Sequence, residues 1–364
     1  MEHPYKSVPA KGFWKRGVSE GFDPCELVEG RLLARGDKVA SAGSCFAANI
    51  VPYIARAGFE YVRTEALPSL FGEVGADNFS YSKFSAAYGN IYTPRQALQL
   101  LQRALGEFAP QEDWWQPTED VIVDPFRPGL KFPASSIEEF QVLRAQHLGA
   151  VLKALRQADV FVFTLGLTEA WRSRADGAVF PACPGTIAGV YDPKLHEFHN
   201  FSVAEVTADT AAFIDLARRV NPVLRFILTV SPVPLVATAA GGHVLNATVY
   251  SKSVLRVAAE EVVRSLPSVT YFPAYEIVTG PQAPEDSFQA DRREPSQSAI
   301  DRVMRTFLGA CDTDYRLPPA DASQPLLGGT APGPALAAPV PVNPLTAMGA
   351  YIASALCEEA AQND

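Results

Sequence analysis

Two kinds of apolar pattern alternate along this chain. Short, almost wholly apolar runs occur at 38–43, 158–164 (Ala-Asp-Val-Phe-Val-Phe-Thr), 224–230 and 269–272, and they have the length and composition of strands buried on both faces. Between them, apolar residues recur every three or four positions, which predicts helices over 45–57, from Pro94 onward, and over 136–157, 203–219, 247–265 and 296–308. In the first helix Ala47, Ile50, Val51, Ile54 and Ala55 form one face, with Pro52 placed to kink it. In the second, Ala97, Leu98, Leu101 and Leu105 share a face behind a first-turn proline. Strand and helix in alternation imply a parallel sheet with right-handed crossovers. The loops at the strands' C-terminal ends then share one rim, where α/β proteins place their sites. Ser44, Gly89, Gly166, His199, His243 and the 285–296 loop are expected on that rim.

Segments without either pattern frame this core. Residues 1–37 read as an arm packed on the body through Phe13 and Trp14, and 58–93 as loop. Residues 107–135, with five prolines and Trp114 and Trp115, and 172–202, with Cys183, His196, His199 and Asn200, read as excursions that shape or cover a site. After residue 316 the chain turns to Pro, Ala and Gly, as in an extended linker or tail. The expected organisation is an arm over 1–37, a single catalytic domain over 38–315, a tail over 316–344 and a short helix within 345–364.

Composition narrows the function. At 364 residues and 48% hydrophobic content, the chain can bury one large core with decorations. A formal charge of −9 without a Lys/Arg cluster excludes a nucleic-acid partner. Five cysteines, odd in number and with no CxxC pair, argue against a zinc site and a disulfide framework and suggest a reducing compartment. The first residues lack the apolar core of a signal peptide. The longest apolar run, Val160 to Leu167, falls far short of the roughly 20 residues that span a bilayer. A soluble, cytoplasmic protein is expected. His196-Glu-Phe-His199 has the wrong spacing for the HExxH zinc motif, and no P-loop or Gly-x-Gly-x-x-Gly string follows a strand, so neither a metal nor any cofactor is implied.

The candidate chemistry lies in Lys38–Ile50. A strand running through a glycine into a helix leaves the first helical amides unpaired, next to the positive end of the helix dipole. Ser44 stands at that turn, either as an acyl-transfer nucleophile or as a plain N-cap. Gly43-Ser44-Cys45-Phe46-Ala47 is the string that names the GSCFA family. Tyr88-Gly89-Asn90-Ile91-Tyr92-Thr93-Pro94, Thr164 to Trp171, Ser231-Pro232-Val233-Pro234-Leu235 and Tyr250-Ser251-Lys252 follow in the family's order. The chain resembles this family over roughly residues 4 to 310. The resemblance implies a three-layer α/β/α sandwich like that of the SGNH/GDSL esterases and flavodoxins, and ester chemistry. It also implies that Gly89 and Asn90 assist the Ser44 amide in holding an oxyanion and that Gly166 and Thr168 stand in the block that is usually Gly-x-Asn-Asp. Here Thr168 replaces the asparagine.

A histidine is missing. SGNH esterases carry their base in Asp-x-x-His before the last helix, whereas this chain has Asp291-Arg292-Arg293-Glu294-Pro295. General-base help is worth about 10² to 10⁴ in rate. Glu294, beside two arginines, is a poor isolated base and could instead orient a histidine, for which His243 and His199 are candidates; each is otherwise an ordinary loop histidine. Three readings stay open. The first is a serine esterase or O-acyltransferase acting on an O-acetylated carbohydrate, with Trp114, Trp115 and Trp171 contacting substrate. The second is a binding protein on the same fold. The third is a thiol function at Cys45, which also stands at the helix start.

Overall fold

The structure, a computed structural model, describes residues 3–65, 84–130 and 133–317. In chain order the strands are β1 (Lys38–Gly43), β2 (Glu60–Tyr61), β3 (Trp115–Thr118), β4 (Val121–Val123), β5 (Val160–Leu165), β6 (Glu169–Ser173), β7 (Val179–Phe180), β8 (His196–Asn200), β9 (Arg225–Val230) and β10 (Val269–Tyr271). The helices are α1 (Ile50–Arg56), α2 (Pro94–Ala104), α3 (Ile137–Gln157), α4 (Val203–Val220), α5 (Val244–Ser265), α6 (Ala274–Thr279) and α7 (Gln297–Gly309).

The apolar runs form a five-stranded sheet in the order β10-β9-β5-β1-β2, all parallel. Renumbered along the chain this is the 2-1-3-4-5 order of flavodoxin-like folds, with its switch point between β1 and β5. Successive side chains of a strand face opposite ways, and the core divides accordingly. Ala40, Ala42, Phe161, Phe163, Leu165, Phe226 and Leu228 pack with α2, α3, α4 and α5. Val39, Val160, Val162 and Ile227 pack on the other face with α1, α6 and α7. The result is a three-layer α/β/α sandwich. Burying both faces is why these strands are apolar throughout instead of alternating.

Several expectations are corrected. The helix after Ser44 begins as a 3-10 turn, Cys45–Asn49, and becomes α-helical only at Ile50, so Pro52 falls in the first turn of α1 and need not kink it. Trp14 is exposed and does not anchor the arm; Leu32 and Leu33 do, both buried against α7 and its neighbours, with the Leu32 amide donating to Ala310 O at 2.9 Å. The two excursions are not irregular throughout. Trp115–Thr118 and Val121–Val123 pair as a hairpin, and β7-β6-β8 form a separate antiparallel sheet beyond the end of β5. These strands are short and mix polar with apolar residues, so they carry little periodic signal. The tail beyond residue 317 and the expected terminal helix lie outside the described residues.

Candidate active site

β1 ends in a close approach to β5. Gly43 pairs with Thr164, and a Cβ on Gly43 would meet Thr164 O at 2.5 Å, with φ at +150°. Only glycine fits there. The chain then turns, the Ala47 amide donating to Ser44 O at 2.8 Å. The Ser44 side chain makes no cap hydrogen bond to the turn that follows. It is 3% exposed, and its Oγ has no hydrogen-bond partner. The capping role is therefore not the one this serine performs.

Three segments close around it. Gly166 lies so near that a Cβ on it would be 3.2 Å from Ser44 Cβ and 3.1 Å from Tyr92 O. The Tyr88–Pro94 segment is stitched to the sheet by Ile91 N donating to Gly43 O at 2.8 Å, and by Gly166 N and Leu167 N donating to Tyr92 O at 3.0 and 2.9 Å. At the end of β9 the Ser231 amide donates to Leu165 O at 2.9 Å. From α5 the buried Lys252 donates through Nζ to Gly166 O at 2.7 Å, and Ser251 Oγ accepts from Thr168 N at 3.0 Å. Four of the five family strings quoted from the sequence thus line one small niche, and the fifth, Tyr250-Ser251-Lys252, holds the 166–168 segment in place. Around Ser44 the niche wall includes Tyr92, Gly166, Ser231, Val233 and Arg293.

The 285–296 loop reaches the niche through an arginine. Asp291 Oδ1 accepts from the amides of Arg293 and Glu294 at 2.9 and 3.1 Å, and these backbone donors, the Arg293 amide first, hold its carboxyl below the usual range. Arg292 takes the left-handed conformation at φ 56°. Arg293 then lines the niche while Glu294 does not; Arg293 Nη1 donates to Glu294 Oε1 at 2.6 Å. Arg293 Nε is buried and has no partner.

The other site candidates are placed differently. None of the chain's five histidines, all described, lines the niche. His199 is on β8, its Nε2 2.8 Å from Glu205 Oε1, the same carboxylate that completes the capping box of α4. His243 is the exposed N-cap of α5, its Nδ1 accepting from Leu245 N at 3.1 Å. The Gly166 amide serves Tyr92, and Thr168 is fully buried outside the niche with its amide on Ser251, so neither amide is left to hold an oxyanion. Gly89 and Asn90 line a neighbouring cleft, and Asn90 Nδ2 donates to the Tyr92 hydroxyl at 3.0 Å.

That cleft, of about 290 Å³, adjoins the niche at Tyr92, which lines both. Tyr88, Phe126, Trp171, Phe180 and Phe198 form aromatic walls, and Arg127 and Glu169 are its charged groups. Trp114 and Trp115 do not line it; Trp115 instead packs against Phe180 from behind, with its ring 2.6 Å from where a Gly189 Cβ would stand. Behind the cleft lies a buried ion cluster that no sequence motif announces. His147 Nδ1 is 2.7 Å from Glu65 Oε2, Arg127 Nη1 is 3.5 Å from Glu65 Oε1, and Arg127 Nε is 2.8 Å from Asp124 Oδ2. Burial, and next the Arg127 charge, push His147 below its ordinary value, so it is a neutral donor to Glu65.

A parallel sheet of flavodoxin order, with a buried serine at the end of its first strand and a cleft at the switch point, defines a ligand-binding or catalytic α/β protein. A family model described as the GSCFA family matches residues 38–307, and the chain belongs to that family. No curated relative matches the sequence. Among solved structures, a Parabacteroides merdae protein described as a GDSL-like lipase is similar at 10% identity and a TM-score of 0.32, over 78% of this chain and 98% of that one. A carbohydrate esterase family 3 protein from Talaromyces cellulolyticus is similar at 10% identity and a TM-score of 0.32, over 74% and 93%. A Streptococcus pneumonia protein described as a platelet activating factor is similar at 13% identity and a TM-score of 0.26, over 44% of this chain and 66% of that one. These likenesses are too distant to assign an activity.

Proposed function

We propose that the protein is a Ser44-dependent acyl-ester hydrolase or O-acyltransferase that removes or moves a small acyl group, acetyl, carried by a carbohydrate. The observation that carries this reading is the buried Ser44, its Oγ without a partner and its Cβ close to Gly166, beside the cleft. Ser44 Oγ attacks the ester carbonyl carbon, the bond from that carbon to the sugar oxygen breaks, and the acyl-serine is then cleaved by water or a second hydroxyl. The proton of Ser44 passes through water to the Glu294 carboxylate, which stands outside the niche wall with its Oε1 on Arg293, and returns to the leaving oxygen. A narrow niche suits acetyl, and the aromatic walls around Trp171 and Phe198 suit the apolar face of a sugar ring. Among the described residues no disulfide joins Cys25, Cys45, Cys183 and Cys311, in keeping with the cytoplasmic setting we propose.

One observation favours the second reading, a binding protein for acetylated carbohydrate: no imidazole or carboxylate lines the niche among the described residues. Turnover of p-nitrophenyl acetate and of acetylated xylo-oligosaccharides, wild type beside Ser44→Ala, separates the two. Slow turnover that falls by about 10² or more in Ser44→Ala is expected. Turnover indifferent to Ser44→Ala overturns the proposal, and its loss in Cys45→Ala instead would move the chemistry to the thiol. Oligosaccharide binding without turnover would establish the second reading.

A further inference from the structure

We infer that Arg293 supplies an oxyanion hydrogen bond of this site, through Nε–H, in the block where Thr168 stands in place of the family asparagine. This rests on the Ser44 reading above and deepens it. The Gly166 amide is given to Tyr92 O at 3.0 Å and the Thr168 amide to Ser251 Oγ at 3.0 Å, and Asn90 Nδ2 is on the Tyr92 hydroxyl at 3.0 Å. The two backbone amides are thus engaged, and one proton of the Asn90 amide group is used; Arg293 offers a further donor, a charged one. Arg293 is part of the same niche wall as Ser44, and its Nε, like Ser44 Oγ, is buried and partnerless.

Two buried polar groups left unsatisfied on residues of one niche wall are a cost that the fold tolerates only with another use for them. When Ser44 Oγ bonds to an ester carbonyl, the carbonyl oxygen gains a full negative charge within that niche. A guanidinium N–H is then a charge-assisted donor, worth more than a neutral amide in a site closed to water. The bond is absent in the free protein and made as charge develops, which is the differential binding that accelerates a reaction. The arginine is held in position on two sides, since Glu294 Oε1 accepts from Nη1 at 2.6 Å and Asp291 Oδ1 accepts from the backbone amides of both residues. On this view the glutamate that replaces the family histidine also clamps the arginine that enters the niche beside it.

The test compares wild type with Arg293→Gln, Arg293→Lys and Ser44→Ala, using p-nitrophenyl acetate kinetics and equilibrium binding of phenylboronic acid, with thermal melts to show that each variant is folded. The boronic acid forms a bond from Ser44 Oγ to boron, Ser44 releases its proton, and boron keeps both hydroxyls and becomes a tetrahedral anion. In Arg293→Gln, kcat should fall by about 10² to 10³ with KM changed by no more than about threefold, and boronate affinity should fall by a similar factor. Arg293→Lys should recover part of both, because it keeps the charge while losing the fork. Boronate affinity and kcat within about threefold of wild type in Arg293→Gln would overturn the inference, and with turnover still lost in Ser44→Ala the Ser44 reading would stand. A wild type that neither turns over ester nor binds boronate overturns both. A wild type that binds boronate without turnover, with binding weakened in Arg293→Gln, upholds the arginine's role.

Discussion

Two buried polar clusters in this molecule differ in how far their groups are satisfied by one another. In the niche, Ser44 and Arg293 line one wall, and Ser44 Oγ and Arg293 Nε have no partners. Behind the cleft, Glu65, His147, Arg127 and Asp124 are joined in a chain of charge-assisted contacts, one of which is an imidazole on a carboxylate at 2.7 Å, and of the imidazole only Nε2 is left without a partner. The second cluster has the histidine-acid pair that a serine mechanism uses, yet it is directed at holding the cleft wall and not at Ser44. The difference teaches that residue type does not identify a site. What marks the niche is its incompleteness, since groups satisfied within the protein stabilise it while groups left open await something else.

The largest contrast between the two regions is expected at the niche. Glu294→His puts an imidazole at the position where the family carries its base, and ester turnover should rise by about 10², the low end of what general-base help supplies, because Arg293 loses its clamp. The gain must vanish when Ser44→Ala is added. Steady-state kinetics of the single and double variants decide this, and an unchanged rate in Glu294→His would show that the niche lacks more than a base.

The cluster should respond in stability instead. Arg127→Met leaves Glu65 and Asp124 buried without their cation, an uncompensated charge that costs about 3–5 kcal/mol in such settings. Urea unfolding followed by fluorescence measures it. A loss under about 1 kcal/mol would place the cluster among the weak, solvent-screened pairs.

A smaller effect separates the two regions by pH. The folded pKa of His147 is depressed, by burial first, so the unfolded chain binds its proton more readily. Stability is then intact above the unfolded value near 6.5 and falls as pH drops below it, by at most about 1.4 kcal/mol per pH unit. For Asp124, burial alone would raise the pKa, but Arg127 and Arg103 outweigh it and the net shift is down, which adds a second loss below the ordinary aspartate value of 3.8. His147→Gln should flatten the first phase, below about pH 6.5, and leave the second. Stability curves across that range that coincide with wild type would remove His147 from the linkage.

Much of the fold is legible in one dimension. The apolar runs at 38–43, 158–164 and 224–230 are the three central strands, and the helical faces such as Ala97, Leu98 and Leu101 pack on one side of the sheet. The string around Gly43 and Ser44 locates the strand-end turn, because a period of two or of 3.6 and a glycine at a close crossing are local signals that a sequence carries directly. The family strings around residues 88, 164, 231 and 251 likewise mark segments that line or hold the niche. What they do not reveal is which atoms are already engaged. That Gly166 and Thr168 have given their amides away, that His199 belongs to Glu205 and that His243 caps a helix depend on partners brought together by folding. The choice between Arg293 and Glu294 is the sharpest case. The sequence places both beside Asp291, but the Asp291 turn and the left-handed Arg292 decide which side chain enters the niche. Periodicity is set by neighbours along the chain, whereas hydrogen-bond partners are set by neighbours in space, and only the tertiary structure supplies those.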